Sequence, residues 1–186
     1  MATAQPQRET LDDLYRFPGK AELIGGRIVP LMATGRRPNR IAFRISRSLD
    51  DYAQQRGVGE AYTDNMGFSV TGLPSGRESF SPDASYHSGP FPTDPMRFIE
   101  AAPTLAVEVR GEYDYGDSAE GDLAAKRADY FAAGTVVVWD VDTLHELIRV
   151  YRATDPDSPT TYGHGQLAEA EPAAPGWRVA VDRIFS

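Results

Sequence analysis

Apolar positions in this chain recur with two different periods. From Asn39 to about Arg56, residues Ile41, Ile45, Leu49 and Tyr52 return at helical spacing, which predicts an amphipathic helix closed by Gly57. Arg40, Arg44 and Arg47 form a second stripe beside the buried one, and Phe43 projects off the main apolar face. A second helix is expected over about Ala119 to Ala133, with Gly134 just past its end. Strand-like runs lie elsewhere. "AELIGGRIVPLM" reads as two short strands turning at Gly25-Gly26, while "EAYTD", "MGFSV", "SPDASYH" and "TLAVEV" follow one another between residues 60 and 110. "TVVVWDVD" is the continuous apolar run of a central strand, and "LHELIRVYRA" is a strand antiparallel to it.

The segments between these runs are read from their turn chemistry. Thr10 is a plausible N-cap for a short helix in "TLDDLYRF", which Pro18-Gly19 ends. "GLPSGRE" reads as a turn, while "SGPFPTDPMRF" and "TDPDSPTTYGHG" read as Pro-rich loops. "GWRVAVDRIF" closes the chain as a short strand or helix. The sum is an α/β fold, a mixed β-sheet flanked by helices. Residues 1–9 are expected to be a flexible tail and residues 10–186 a single domain.

Composition narrows the class. No apolar run approaches the roughly 18 residues of a membrane span, and the N-terminus lacks a secretion pattern. With no cysteine there is neither a disulfide framework nor a thiolate metal site, so a cytoplasmic location is expected. The net charge of −8 is unevenly spread: residues 1–56 carry ten basic and six acidic side chains, residues 57–186 nine and twenty-one. Such a chain is not built to coat nucleic acid non-specifically. Of nineteen basic residues only Lys20 and Lys126 are lysines, which marks both for scrutiny.

Two short stretches carry ionisable groups into otherwise apolar strands. In "TLAVEVRG", Glu108 and Arg110 share one strand face and Val107 and Val109 the other. In "FSPDASYH", Asp83 stands near the start of a neighbouring strand. If these strands pair, two carboxylates meet near one strand end, a donor set suited to the sparse oxygen ligation of Mg²⁺. The competing reading is a structural Glu108–Arg110 ion pair with Pro82-Asp83 merely opening a strand. On the following helix, Asp122, Lys126 and Tyr130 are spaced by four along one edge, with Leu123 and Phe131 beside them. His87, His145 and His164 lack metal-ligand spacing and are expected at the surface, and Trp139 is expected in the core.

The run Asp122-x3-Lys126-x3-Tyr130-x3-Gly134, followed by a strand with Trp139 and then Asp142, resembles the Uma2 family, whose members are assigned as endonucleases. "AELIGGRIV", "SPDASY" and "PTLAVEVR" resemble the family's early hairpin, Pro-Asp strand and Val-Glu-Val strand, so the likeness spans nearly the whole chain. It is similar in turn to the PD-(D/E)xK nuclease superfamily. That resemblance implies a restriction-endonuclease-like core and Mg²⁺- or Mn²⁺-dependent cleavage of DNA by a bacterial-type protein. It implies Asp83 and Glu108 as metal ligands and Glu22 as an accessory acid. Arg110 occupies the position of the superfamily's strand lysine, with Lys126 on the helix as its replacement. Lys126 is then expected to position or activate the water and Arg110 to steady phosphate charge. Asn39 stands where a histidine is usual, and the acidic loop "GEYDYGDSAEGD" is longer than usual. A homodimer is expected, since cutting both strands takes two sites. The rival class is a nuclease-fold protein that binds or assembles without catalysis.

Overall fold

The computed structural model describes residues 8–186. Helix α1 (Leu11–Arg16) opens on a capping box, in which the Thr10 hydroxyl accepts from the Asp13 N–H while the Asp13 carboxylate accepts from the Thr10 N–H. Strands β1 (Ala21–Ile24) and β2 (Arg27–Pro30) form the expected hairpin, with Gly25 and Gly26 at φ of 61° and 70°. A left-handed pair of this kind suits glycine and matches the twist of the flanking strands. Helix α2 (Arg36–Arg56) follows and stops at Gly57, whose φ is 66°.

Next come β3 (Glu60–Thr63), β4 (Phe68–Ser69), β5 (Ser79–Phe80), β6 (Ala84–His87) and β7 (Leu105–Val109). Helix α3 (Asp117–Ala133) leads into β8 (Val137–Asp142), β9 (Leu147–Arg152) and β10 (Asp155–Tyr162). Strands β11 (Leu167–Glu169) and β12 (Arg178–Ala180) and helix α4 (Val181–Phe185) complete the chain. Among the described residues the main sheet has the order β10-β9-β8-β7-β6-β3. The β7–β8 pair is parallel and its crossover contains α3; the other pairs are antiparallel.

Each sheet face has its own core. Ile41, Ile45, Leu49 and Ala53 of α2 pack on Leu105, Val107 and Val109 of β7 and on Trp139 of β8, with Trp177 and Ile184 from the C-terminal segment. The indole of Trp139 lies 4.9 Å from that of Trp177 and donates to the Glu169 carbonyl. On the opposite face Phe68, Phe80, Ile99, Ala106, Val138 and Tyr151 surround Tyr130 of α3. The alternation along β7 therefore sends its valines toward α2 and Ala106 and Glu108 toward α3.

Several expectations are corrected. "TDPDSPTTYGHG" is not a loop throughout, since Asp155–Tyr162 is β10. Pro156 and Pro159 are tolerated because β10 is an edge strand whose register with β9 breaks between Asp155 and Thr160. The segment 167–169, unassigned from sequence, is β11, whereas "GLPSGRE", read as a turn, does join β4 to β5. Both readings of "GWRVAVDRIF" apply in turn, as β12 and then α4. His87 is buried, with Nε2 at 3.0 Å from the Pro90 carbonyl oxygen, whereas His145 and His164 are exposed. Of the tail expected over residues 1–9, residues 1–7 lie outside the described residues. Glu9 is anchored through its N–H to the Gly26 carbonyl and through its carboxylate to the Ile28 N–H. No helix of the described residues is long and apolar enough to cross a membrane.

Leu49 is fully buried between α2 and the sheet, so Leu49→Ala leaves a cavity that neighbouring strands cannot close. The expected loss is about 3 kcal/mol, read as a lower urea midpoint with an unchanged slope.

Candidate active site

The site is built where the end of β7 meets α3 and the β1–β2 hairpin. The crossover carries the chain back over the sheet, so that Lys126 and Tyr130 lie against Glu108. Lys126 Nζ is 2.9 Å from Glu108 Oε1 and 3.1 Å from Glu22 Oε1. The Tyr130 hydroxyl donates to Glu108 Oε1 at 2.6 Å, and its ring stacks on Phe80 with centroids 4.1 Å apart. One half-buried ammonium thus serves two carboxylates 86 residues apart in sequence (108 minus 22).

Glu22 is the more completely partnered of the two. Its Oε1 accepts from the Ser81 N–H as well as from Lys126, and its Oε2 pairs with Arg77. Arg77 in turn holds Asp129 of α3 at 3.0 Å. Burial pushes the Glu22 carboxyl up, but Lys126 and Arg77 outweigh it and hold the pKa below the ordinary value. Glu108 goes the other way. Burial raises it, Lys126 opposes that only in part, and the nearby charges of Asp83 and Glu22 add to the rise. For Lys126, burial works against the charge, yet Glu108 and Glu22 win and raise its pKa. Its charged form is the one that these two carboxylates favour.

Asp83 lies one residue before β6. Its N–H donates to the Val107 carbonyl, and its Oδ2 accepts from the Val109 N–H at 2.8 Å. The carboxylate borders a groove toward α2, with Thr34, Asn39 and Asp64, whereas Glu108 borders one under α3 with Leu123 and Arg127. The two acids thus meet across the end of the β6–β7 ladder, within electrostatic range of each other, rather than side by side on one face. Lys20 Nζ reaches Asp83 Oδ1 at 3.4 Å and also pairs with Asp64.

Arg110 is not brought to this cluster. Its Nε and Nη2 clamp the Asp140 carboxylate with two bonds of 2.6 Å. Its remaining donors go to Glu120 and to the Asp114 carbonyl, so all five guanidinium N–H groups have protein acceptors. Asp122, first of the spaced triad, is exposed, while Asp142 is buried. Although burial opposes its charge, bonds from His145, Tyr115 and Arg149 hold Asp142 below the usual carboxylate range. Sequence reading did not find Arg77, Asp64 and Asp140, and it marked Lys20 only by the scarcity of lysine.

Oxygen donors without cysteine or histidine suit a hard cation such as Mg²⁺ or Mn²⁺. Among the described residues no group of three or more His, Cys, Asp or Glu could hold a metal ion by itself. Asp83 and Glu108 offer two carboxylates within electrostatic range of each other, and among the described residues no protein group donates to Glu108 Oε2.

A family model described as "Uma2: Putative restriction endonuclease" matches residues 9–182. The chain belongs to the Uma2 family. No curated protein matches it. A solved structure titled as a putative nuclease belonging to DUF820, from Anabaena variabilis ATCC 29413, superposes with a TM-score of 0.73 at 17% identity. That match covers 95% of this chain and 97% of the other, so the mixed sheet with flanking helices is the fold of that Anabaena protein. In this Uma2 chain the family-like motif residues divide their work. Lys126 and Tyr130 touch Glu108, Gly134 caps α3 at a φ of 107°, and Trp139 fills the core.

The pKa directions fix a sign. Glu22 has a folded pKa below its unfolded one, so its stabilisation is present above about pH 4 and is lost as pH falls through the folded value. Glu22→Gln should cost about 3 kcal/mol at pH 7, because Lys126 and Arg77 lose a buried partner. The gap between variant and wild type should narrow in acid, as checked by urea denaturation across pH.

Proposed function

We propose that this Uma2 protein is an endonuclease that hydrolyses DNA phosphodiester bonds with Mg²⁺ or Mn²⁺ held by Asp83 and Glu108. The observation that carries this reading is the half-buried Lys126 ammonium, bonded to Glu108 and in electrostatic contact with Asp83. A divalent cation there would orient water and neutralise charge on the phosphate. Lys126, its charge supported by Glu108 and Glu22, positions the water or a phosphate oxygen. Glu22 and Arg77 hold Lys126 and α3 in place. Arg110 acts on the scaffold by locking β7 to β8 through Asp140, with no donor left for phosphate.

Substrate contact falls to the basic N-terminal half. Arg40 and Arg47 of the α2 stripe are exposed, while Arg44 is tied to the Ile184 carbonyl. Phe43, beneath the Arg40 guanidinium at 5.5 Å, is half exposed and supports the homodimer that double-strand cutting would use.

Supercoiled plasmid should be nicked and linearised with Mg²⁺ or Mn²⁺, and not with EDTA. Single-stranded DNA and RNA assayed in parallel would reveal a different substrate. Asp83→Asn and Glu108→Gln should each abolish cutting. Lys126→Met should lower the rate at least about 100-fold and also lower the melting temperature. Arg110→Lys should destabilise by about 2 kcal/mol yet still cleave when folded, since lysine cannot clamp Asp140 bidentately. Metal-independent binding of DNA without any cleavage would instead favour a non-catalytic nuclease fold. A single-protomer mass by light scattering would remove the dimer.

A further inference from the structure

The other lysine has no part in the mechanism above, yet it lies in the same neighbourhood. Lys20 stands two residues before Glu22, and its carbonyl accepts from the Leu31 N–H, so the hairpin ladder extends to it. Its side chain is 18% exposed, with Nζ against Asp64 and 3.4 Å from Asp83 Oδ1. A charge kept only for solubility would remain in solvent. The chain meets its other cationic needs with seventeen arginines, and both of its lysines contact carboxylates of this one site. An ammonium is a compact, mobile point charge, whereas a guanidinium is a broad fork that demands planar partners. It is the side chain suited to a place that must be given up to another cation.

We propose that Lys20 is a positioning residue that occupies Asp83 in the free protein and competes there with the divalent cation, so that it sets metal affinity. This rests on the reading of Asp83 as a ligand. The geometry fixes the direction of the effect. Asp83 is also held by the Val109 N–H at 2.8 Å, so loss of Lys20 does not release the carboxylate. What is lost is a unit positive charge within a few Å of an incoming dication. Even at the effective dielectric of a partly solvated site, its removal is worth about tenfold in affinity.

Mn²⁺ is titrated calorimetrically into wild type, Lys20→Met, Lys20→Arg and Asp83→Asn, and each is melted with and without Mn²⁺. Lys20→Met should bind Mn²⁺ about tenfold more tightly than wild type, and Lys20→Arg should remain close to wild type. Without metal, Lys20→Met should melt lower, because Asp64 and Asp83 lose a shared counter-charge, and its Mn²⁺-induced rise should be larger. A purely structural lysine would not give tighter binding when removed. Mn²⁺ uptake by Lys20→Met alone, with wild type silent, also supports the competition. If wild type binds in an Asp83-dependent way but folded Lys20→Met binds equally or more weakly, the competition is overturned and the metal site stands. Absence of uptake in every protein overturns the metal site and the competition together. Lys20→Gln, uncharged but still a donor, serves the same comparison if the methionine variant does not fold.

Discussion

A single ammonium group closes the contact on which α3 and its surroundings depend. Within α3 the fully buried residue is Tyr130, with Phe131 and Ala133 packed partly buried against the same core. Charge does the rest. Glu120 meets Arg110, Lys126 meets Glu108 and Glu22, Asp129 meets Arg77, and the Arg127 guanidinium lies 3.7 Å from the centroid of the Tyr151 ring. The inner pairs, Lys126 with Glu22 and Glu108 and Arg77 with Glu22, recover their desolvation cost only when every partner is present. The same links hold Lys126 against Glu108, on which the proposed chemistry rests. A Uma2 site in which the lysine sits on a helix rather than beside the strand glutamate needs that helix fixed to within a hydrogen bond, and the network does this.

Much of the fold was legible because it is periodic. Ile41, Ile45 and Leu49 predicted the face of α2, the Gly25-Gly26 pair predicted the first hairpin, and "VVVWDVD" predicted a central strand. Failures came where edge position overrides propensity. Two prolines argue against a strand until one knows that, among the described residues, β10 has a neighbour on one side only. At the site, Glu108 was marked by its break in an apolar run and Lys126 by its four-residue spacing from Tyr130. The partnership of Glu22 with Arg77 spans 55 residues and follows only from how the hairpin docks.

Arg110 shows how a correct local argument reaches the wrong neighbour. Period-2 geometry does place it on the face of Glu108. The parallel strand β8, however, offers Asp140 at the residue paired with Glu108, and its carboxylate holds the guanidinium bidentately. Strand order, not strand pattern, made that assignment, and strand order was beyond reach of the sequence. The electrostatic asymmetry of the chain reads differently as well, because the acidic loop after β7 is fastened by Arg110, and by Tyr115 at Asp142, rather than left as a solvated excursion.

The eight-residue edge at β10 has a meaning beyond its place in the sheet. An exposed outer strand is ordinarily a template on which another chain can add a strand of its own. Here Pro156 and Pro159 remove two N–H donors, Asp155 and Asp157 place negative charge along the rim, and the register break interrupts what remains. The border is closed to β-augmentation, which protects a protein with such an open sheet from fibrillar growth.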